Sequence, residues 1–203
     1  MPRLAFPAAP RLLALALALP VAHAALAAAS PADEASPAGI RPLVGAMLTG
    51  TVGNNKTTVT NPDASTATGS LSGRYEAYAG AEFPIDPNGL ALRLTVGYHV
   101  SPFKGASSEH LTSLPFEGTL WYPLSDQLRV FAGVRYAMHN RFSGPGRRTT
   151  DNINATPGPV AGFGVRLMPH LELNMRYAYQ RYEQANGGDL EASFWGLGLT
   201  ALY

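Results

Sequence analysis

The chain has 203 residues, a length that suits one domain, with only 14% charged residues and a formal net charge of +1. It contains no cysteine, which excludes disulfides and an acyl-cysteine lipid anchor. The charge balance is near zero and shifts to −1 once Arg3 and Arg11 are set aside with a leader, so nothing points to nucleic acid as a partner.

Residues 1–24 read as a secretory signal peptide. Arg3 and Arg11 supply the positive end, residues 12–21 (LLALALALPV) the apolar stretch, and Ala22-His23-Ala24 a small-x-small cleavage site, with Ala27-Ala28-Ala29 as the alternative. The apolar stretch is about half the ~20 residues of a spanning helix, and Pro20 interrupts it. Residues 25–39 are small, proline-containing and aperiodic, which predicts a disordered periplasmic N-terminal segment.

From residue 40 to 203 the pattern has a period of two, the signature of strands whose side chains alternate between faces. A first strand spans 41–53, with Val44, Ala46, Leu48 and Val52 favoured as its apolar face. In 70–83, Leu71, Tyr75, Ala77, Ala79, Ala81 and Phe83 oppose Arg74, Glu76 and Glu82. The segment 90–101 sets Leu90, Leu92, Leu94, Val96, Tyr98 and Val100 against Arg93, Thr95 and His99. Leu114, Phe116, Leu120 and Tyr122 then oppose Glu117 and Thr119, and Leu128 to Met138 oppose Arg129, Arg135 and His139. Ala161 to Leu167 oppose Gly162, Gly164 and Arg166; Leu171 to Tyr179 oppose Glu172, Asn174 and Arg176; and Trp195 to Tyr203 oppose Gly196, Gly198 and Thr200. These are eight strands, most of them long enough for the roughly 9–11 residues of a tilted membrane-crossing strand. Their connections alternate: short at 84–89, 123–126 and 169–170, longer and polar at 54–69, 102–111, 140–158 and 183–190.

Apolar-face aromatics fall at two heights. Phe83, Tyr122 and Tyr203 lie near the short turns; Tyr75, Tyr98, Phe116, Tyr136, Tyr179 and Trp195 lie toward the long loops. Two aromatic girdles around an aliphatic band match two membrane–water interfaces, so the apolar face is expected to meet lipid and the charged face to line the interior. In hydrocarbon every backbone polar group needs a partner, and a closed barrel supplies them all. The expectation is therefore an all-β, eight-stranded antiparallel up-and-down transmembrane β-barrel over 40–203. It would sit in the outer membrane of a Gram-negative bacterium, with both termini and the short turns in the periplasm.

The tail WGLGLTALY resembles, through Gly198, Leu199 and Tyr203, the C-terminal signal that outer-membrane barrels present to the barrel-assembly machinery. Ala201 departs from that pattern, standing where a larger apolar residue is usual. In architecture the chain resembles the small class formed by the OmpA transmembrane domain, OmpX and the opacity proteins. The resemblance implies outer-membrane lipids and lipopolysaccharide as surroundings, assembly by that machinery, and a monomer.

Eight strands leave an interior only about wide enough for side chains. The inward set is expected to include Arg74, Glu76, Glu82, Arg93, Glu117, Arg129, Arg135, Arg166, Glu172 and Arg176, joined in a salt-bridge network that plugs the lumen. Enzymes on such barrels use His with Ser and an acid; the residues to weigh are His99, Ser101, Ser107, Ser108, Glu109, His110 and His139. Ser107, Ser108, Glu109 and His110 are merely neighbours in sequence, which seldom form a triad, so no catalytic residue is assigned. The histidines are dispersed, so neither a metal site nor a cofactor is expected. Loop residues Arg141, Arg147 and Arg148 are candidates for contact with lipopolysaccharide phosphates. The sequence points first to a non-enzymatic barrel serving envelope integrity or surface interaction. A narrow or gated porin-like channel comes second and a lipid A-modifying acyl enzyme third.

Overall fold

The structure is a computed structural model and describes residues 39–52, 57–60, 66–69, 74–104, 110–143, 154–183 and 189–203. The expected leader and its cleavage site lie outside the described residues, as does the 25–39 segment apart from Gly39.

Among the described residues eleven strands follow one another: β1 (Arg41–Thr51), β2 (Thr57–Thr60), β3 (Thr66–Gly69), β4 (Tyr75–Pro84), β5 (Ala91–Lys104), β6 (His110–Pro123), β7 (Leu128–Ser143), β8 (Asn154–Thr156), β9 (Gly158–Met168), β10 (Leu171–Glu183) and β11 (Asp189–Leu202). Eight of them form the wall. Going round from β1 the order is β4, β5, β6, β7, β9, β10, β11, and β11 pairs back onto β1, every pair antiparallel. The seam runs from Leu43↔Leu202 to Thr51↔Phe194. A closed ring leaves no exposed edge among these strands, which removes a template for aggregation. Among the described residues no helix is long and apolar enough to cross a membrane.

The three short connections are built from turn chemistry. After β4, Asp86 Oδ1 accepts from the Leu90 amide at 2.9 Å and Gly89 takes φ +89°, a left-handed conformation that favours glycine. After β6, the Ser125 hydroxyl accepts from the Leu128 amide at 3.1 Å. Between β9 and β10 only Pro169 and His170 intervene. The start of β1 and the end of β11 lie at this same turn end, as the pairs Arg41↔Glu82 and Leu43↔Leu202 require.

At the other end the long connections hold more strand than the sequence suggests. The stretch 54–69 contains the antiparallel pair β2–β3, in which Thr58 faces Thr68, and β3 continues onto β5. The β-branched sequence TTVT accounts for it. Within the expected loop 102–111, residues 102–104 extend β5 and 110–111 begin β6, and β8 adds a short pairing to β10 within 140–158. His139, expected on the inner face with Arg129 and Arg135, is instead exposed at φ +51°. The register between β6 and β7 shifts between Thr112 and Leu114, and this bulge moves Asn140 to the buried side in its place.

The two faces separate cleanly. Outward residues Leu48, Leu94, Leu120, Val134, Leu197 and Leu199 are exposed to between 43% and 57%, while charged side chains midway along the opposite face, from Glu76 and Arg93 to Arg135 and Arg176, are buried. This is the reverse of a water-soluble barrel, whose buried face would be the apolar one.

Candidate functional site: the charged interior

Four arginines (Arg93, Arg129, Arg135, Arg176) and four glutamates (Glu76, Glu82, Glu117, Glu172) are buried inside the barrel, none more than 7% exposed. They come from β4, β5, β6, β7 and β10, because each occupies an inward register position of its strand. An unpaired charge there costs several kcal/mol, so the pairing decides whether the interior is tolerable.

The pairs fall into two clusters. Nearer the short turns, Glu82 Oε2 accepts from Arg93 at 2.7 Å and Arg129 at 2.9 Å. Glu172 lies 2.9 Å from Arg93 and 3.5 Å from Arg129. Arg41, at the start of β1, approaches Glu82 at 3.7 Å. Nearer the long loops, Arg135 donates to both oxygens of Glu76, at 3.1 and 2.7 Å, and also to Glu117. Arg176 donates to the other Glu117 oxygen. His99 Nδ1 donates to Glu76 at 2.8 Å. Arginine suits these positions because its fork binds two carboxylates at once.

Polar and aromatic side chains fill the rest. Asn174 donates to the Thr200 hydroxyl at 2.8 Å and to the Tyr78 hydroxyl at 3.2 Å, and those two hydroxyls are 2.7 Å apart. Trp121 stacks on Phe131 with ring centroids 4.2 Å apart and donates from Nε1 to Thr119 at 2.9 Å. The Arg93 guanidinium lies 3.8 Å from the Trp121 ring centroid, and Arg135 lies 5.0 Å from that of Phe194, both within cation–π range. Space for these rings comes from inward glycines on other strands. A Cβ at Gly45 would meet the Tyr78 ring, one at Gly162 the Phe131 ring, and one at Gly164 the Trp121 ring.

Two of the ten expected interior charges stand outside these clusters. Arg74 precedes β4 and is exposed; Arg166, near the end of β9, is exposed at the rim beside Arg41 and Arg129. Both sit at strand ends, where the inward face opens to solvent. Arg41, Trp121, Phe131, Tyr78 and Phe194 are interior residues beyond the expected charges, and His99, expected on the inner face and weighed as a catalytic base, pairs with Glu76. Alternation gives the signal: Tyr78, Phe131 and Phe194 each lie two residues from a charged or glycine position on the inner face, and Trp121 lies four from Glu117.

Of the girdle aromatics, Tyr75, Tyr98, Phe116, Tyr122, Tyr136 and Trp195 are exposed on the outer wall. Phe83, Tyr179 and Tyr203 are half-buried. Phe116 faces Tyr136 across β6–β7, and Trp195 faces Tyr177, an outward ring not counted among the girdles. Gly198 is buried on the inner face of β11, where its missing side chain leaves room for Met47, and Leu199 points outward.

Of the histidines and serines weighed for catalysis, His99 is buried against Glu76 and Phe194. Ser101 is also buried, and His110 begins β6 half-buried. Ser107, Ser108 and Glu109 lie outside the described residues, as do Arg147 and Arg148; Arg141 is exposed near the end of β7. No group of three or more His, Asp or Glu able to hold a metal occurs among the described residues.

No curated protein matches the sequence significantly. Among solved structures, Neisserial surface protein A shares 15% identity over 82% of this chain and 98% of its own, with a TM-score of 0.56. Ail, the attachment invasion locus protein of Yersinia pestis, shares 10% identity over 82% of this chain and 99% of its own, with a TM-score of 0.47. At 15% identity the likeness to Neisserial surface protein A is one of fold. The family model described as "outer membrane protein beta-barrel domain" matches residues 12–201. With its closed ring of eight strands, apolar wall and charged interior, the chain belongs to the outer membrane protein β-barrel family.

Proposed function

We propose that this chain is a non-enzymatic, monomeric outer-membrane barrel serving envelope integrity or surface interaction, with its lumen closed by arginine–glutamate pairs. The supporting observation is the balance of the buried charges: four guanidiniums and four carboxylates, cross-linked between strands on different sides of the ring. Aromatic rings stacked against both clusters occupy space that an aqueous path would need. Reconstituted in planar bilayers, the folded chain is expected to give no sustained conductance; steady nanosiemens steps would overturn the closed-lumen reading and favour a channel.

In this reading the outward rings anchor the wall at two interfaces, Gly198, Leu199 and Tyr203 present the assembly signal, and Arg141, with Arg147 and Arg148, meets lipopolysaccharide phosphate. Residues 1–24 direct export and are removed, 25–39 form a periplasmic segment, and both termini face the periplasm. The wall can be tested directly. Leu197 faces Leu48 and Met175 in the aliphatic band, and all three are exposed outward. Leu197→Arg is expected to destabilise the barrel by about 2–4 kcal/mol in phospholipid vesicles, as arginine does near the bilayer midplane. Urea titration followed by tryptophan fluorescence measures it, and a change below about 0.5 kcal/mol, typical of an ordinary surface substitution, would place Leu197 outside the lipid.

A further inference from the structure

The two interior clusters differ in charge balance. Near the long loops, Arg135 and Arg176 face Glu76 and Glu117, one cation for each anion. Near the turns, Arg41, Arg93 and Arg129 share only Glu82 and Glu172. Arg166 adds a further cation to this end, and among the described residues it has no ion-pair partner within 4 Å. Arg41 is held by the Pro169 carbonyl at 3.3 Å and only loosely by Glu82 at 3.7 Å.

These surplus guanidiniums surround a cavity. It has a volume of about 490 Å³ and is lined by Arg41, Arg129 and Arg166 together with Glu82 and, on the exposed turn, Asp126. Glu82 is already engaged by Arg93 and Arg129, and Asp126 makes no ion pair with the three lining arginines. A cationic excess partly shielded from water is stabilised by an anion that accepts several hydrogen bonds, and planar guanidinium forks fit a tetrahedral or carboxylate oxyanion.

We propose that the turn-end mouth of the barrel binds a small soluble oxyanion, a phosphate or a carboxylate, through Arg41, Arg129 and Arg166. Solution is favoured over a lipid headgroup as the source because Arg129, Glu82 and Ala91, which line the cavity, are buried inward positions. The cavity therefore opens along the barrel axis and not onto the lipid-facing wall.

Pyrophosphate and citrate are the probes, titrated calorimetrically at fixed ionic strength into the full chain folded in a zwitterionic detergent. Both should bind, and Arg166→Gln and Arg41→Gln should each weaken pyrophosphate binding by about tenfold or more, the loss of one charge-assisted hydrogen bond. Arg181→Gln, on an exposed residue near the far end of β10, should leave affinity unchanged. Arg166 is exposed and has no ion-pair partner among the described residues, so its variant should retain the folded, heat-modifiable gel mobility. No heat from the unmodified chain, or equal affinity in both arginine variants, overturns the proposal. A second titration in nanodiscs separates the sources. Binding that persists in phosphatidylglycerol discs as in phosphatidylcholine discs supports a soluble ligand; its abolition by phosphatidylglycerol overturns that assignment in favour of a headgroup.

Discussion

Replacing Arg135 by methionine should destabilise the barrel more than any other single loss of an interior charge. Arg135 is the one guanidinium that binds both oxygens of Glu76 while also reaching Glu117, so its removal strips two buried carboxylates at once. Breaking one side of a buried ion pair costs about 3–5 kcal/mol, chiefly because the remaining charge is left without compensation. Glu76 would keep His99 and a distant Arg176 at 4.0 Å, and Glu117 would keep Arg176. The measurement is reversible urea unfolding in lipid, with Arg74→Met as the comparison. Arg74 is exposed and outside the clusters, and its loss should cost less than about 0.5 kcal/mol. A compensating change makes the cause identifiable: adding Glu76→Gln to Arg135→Met should recover about 1 kcal/mol or more, a coupling expected of groups in one network. If the double variant were no more stable than the single one, buried charge would not be the reason for the loss.

A methyl group at Gly162 should be at least as damaging, for a different reason. The added Cβ would meet the backbone carbonyl oxygen of Met175 on β10 and, at 2.7 Å, the ring of Phe131 on β7. A side chain can rotate away, but a carbonyl in a paired strand moves only if the ladder moves. Gly162→Ala is therefore expected to abolish most of the heat-modifiable folded species on gels, and Phe131→Ala should not restore it. Gly164→Ala provides the contrast. There the added Cβ meets only side chains among its nearest neighbours, the Trp121 ring at 2.8 Å and the Glu172 carboxyl at 2.8 Å, so folding should survive with reduced stability. Equal behaviour of the two variants would show that the carbonyl contact is not what constrains Gly162.

Much of this architecture is legible in the sequence because a strand's period of two leaves little freedom once one face must be continuous hydrocarbon. In β5, Arg93 and His99 fix the inner face and Leu94, Val96 and Tyr98 the outer one, and the structure keeps that division. Prolines and Asp-Pro-Asn-Gly mark the short turns for the same reason, since the backbone at Gly89 needs a left-handed residue. Strand ends were less legible. Beyond the membrane-spanning stretch no lipid boundary dictates where pairing stops, so β5, β6 and β7 run further than their alternation suggests. His139 was misplaced because a single extra residue in β7 inverts the alternation after it, and nothing in the local residues announces the bulge. The interior holds more than the charges that alternation singles out. Attention went to the charges, while Tyr78, Trp121 and Phe131 lay at alternating inner positions with small partners such as Gly45 and Gly162 across from them. Which arginine meets which glutamate was never available from one strand at a time, because partners such as Arg93 and Glu172 come from opposite parts of the chain.

The seam between β1 and β11 joins the first and last elements of the fold, with Leu43 against Leu202. Bringing such distant stretches together carries the largest loop-closure entropy of any contact in the molecule, and topologies dominated by remote pairings form slowly. Until β11 has been made and delivered, β1 has half its backbone partners missing, and no order of synthesis removes that wait. On the proposed export route the chain would carry those unsatisfied edges with it, and ring closure becomes the step that separates a vulnerable ribbon from a finished wall.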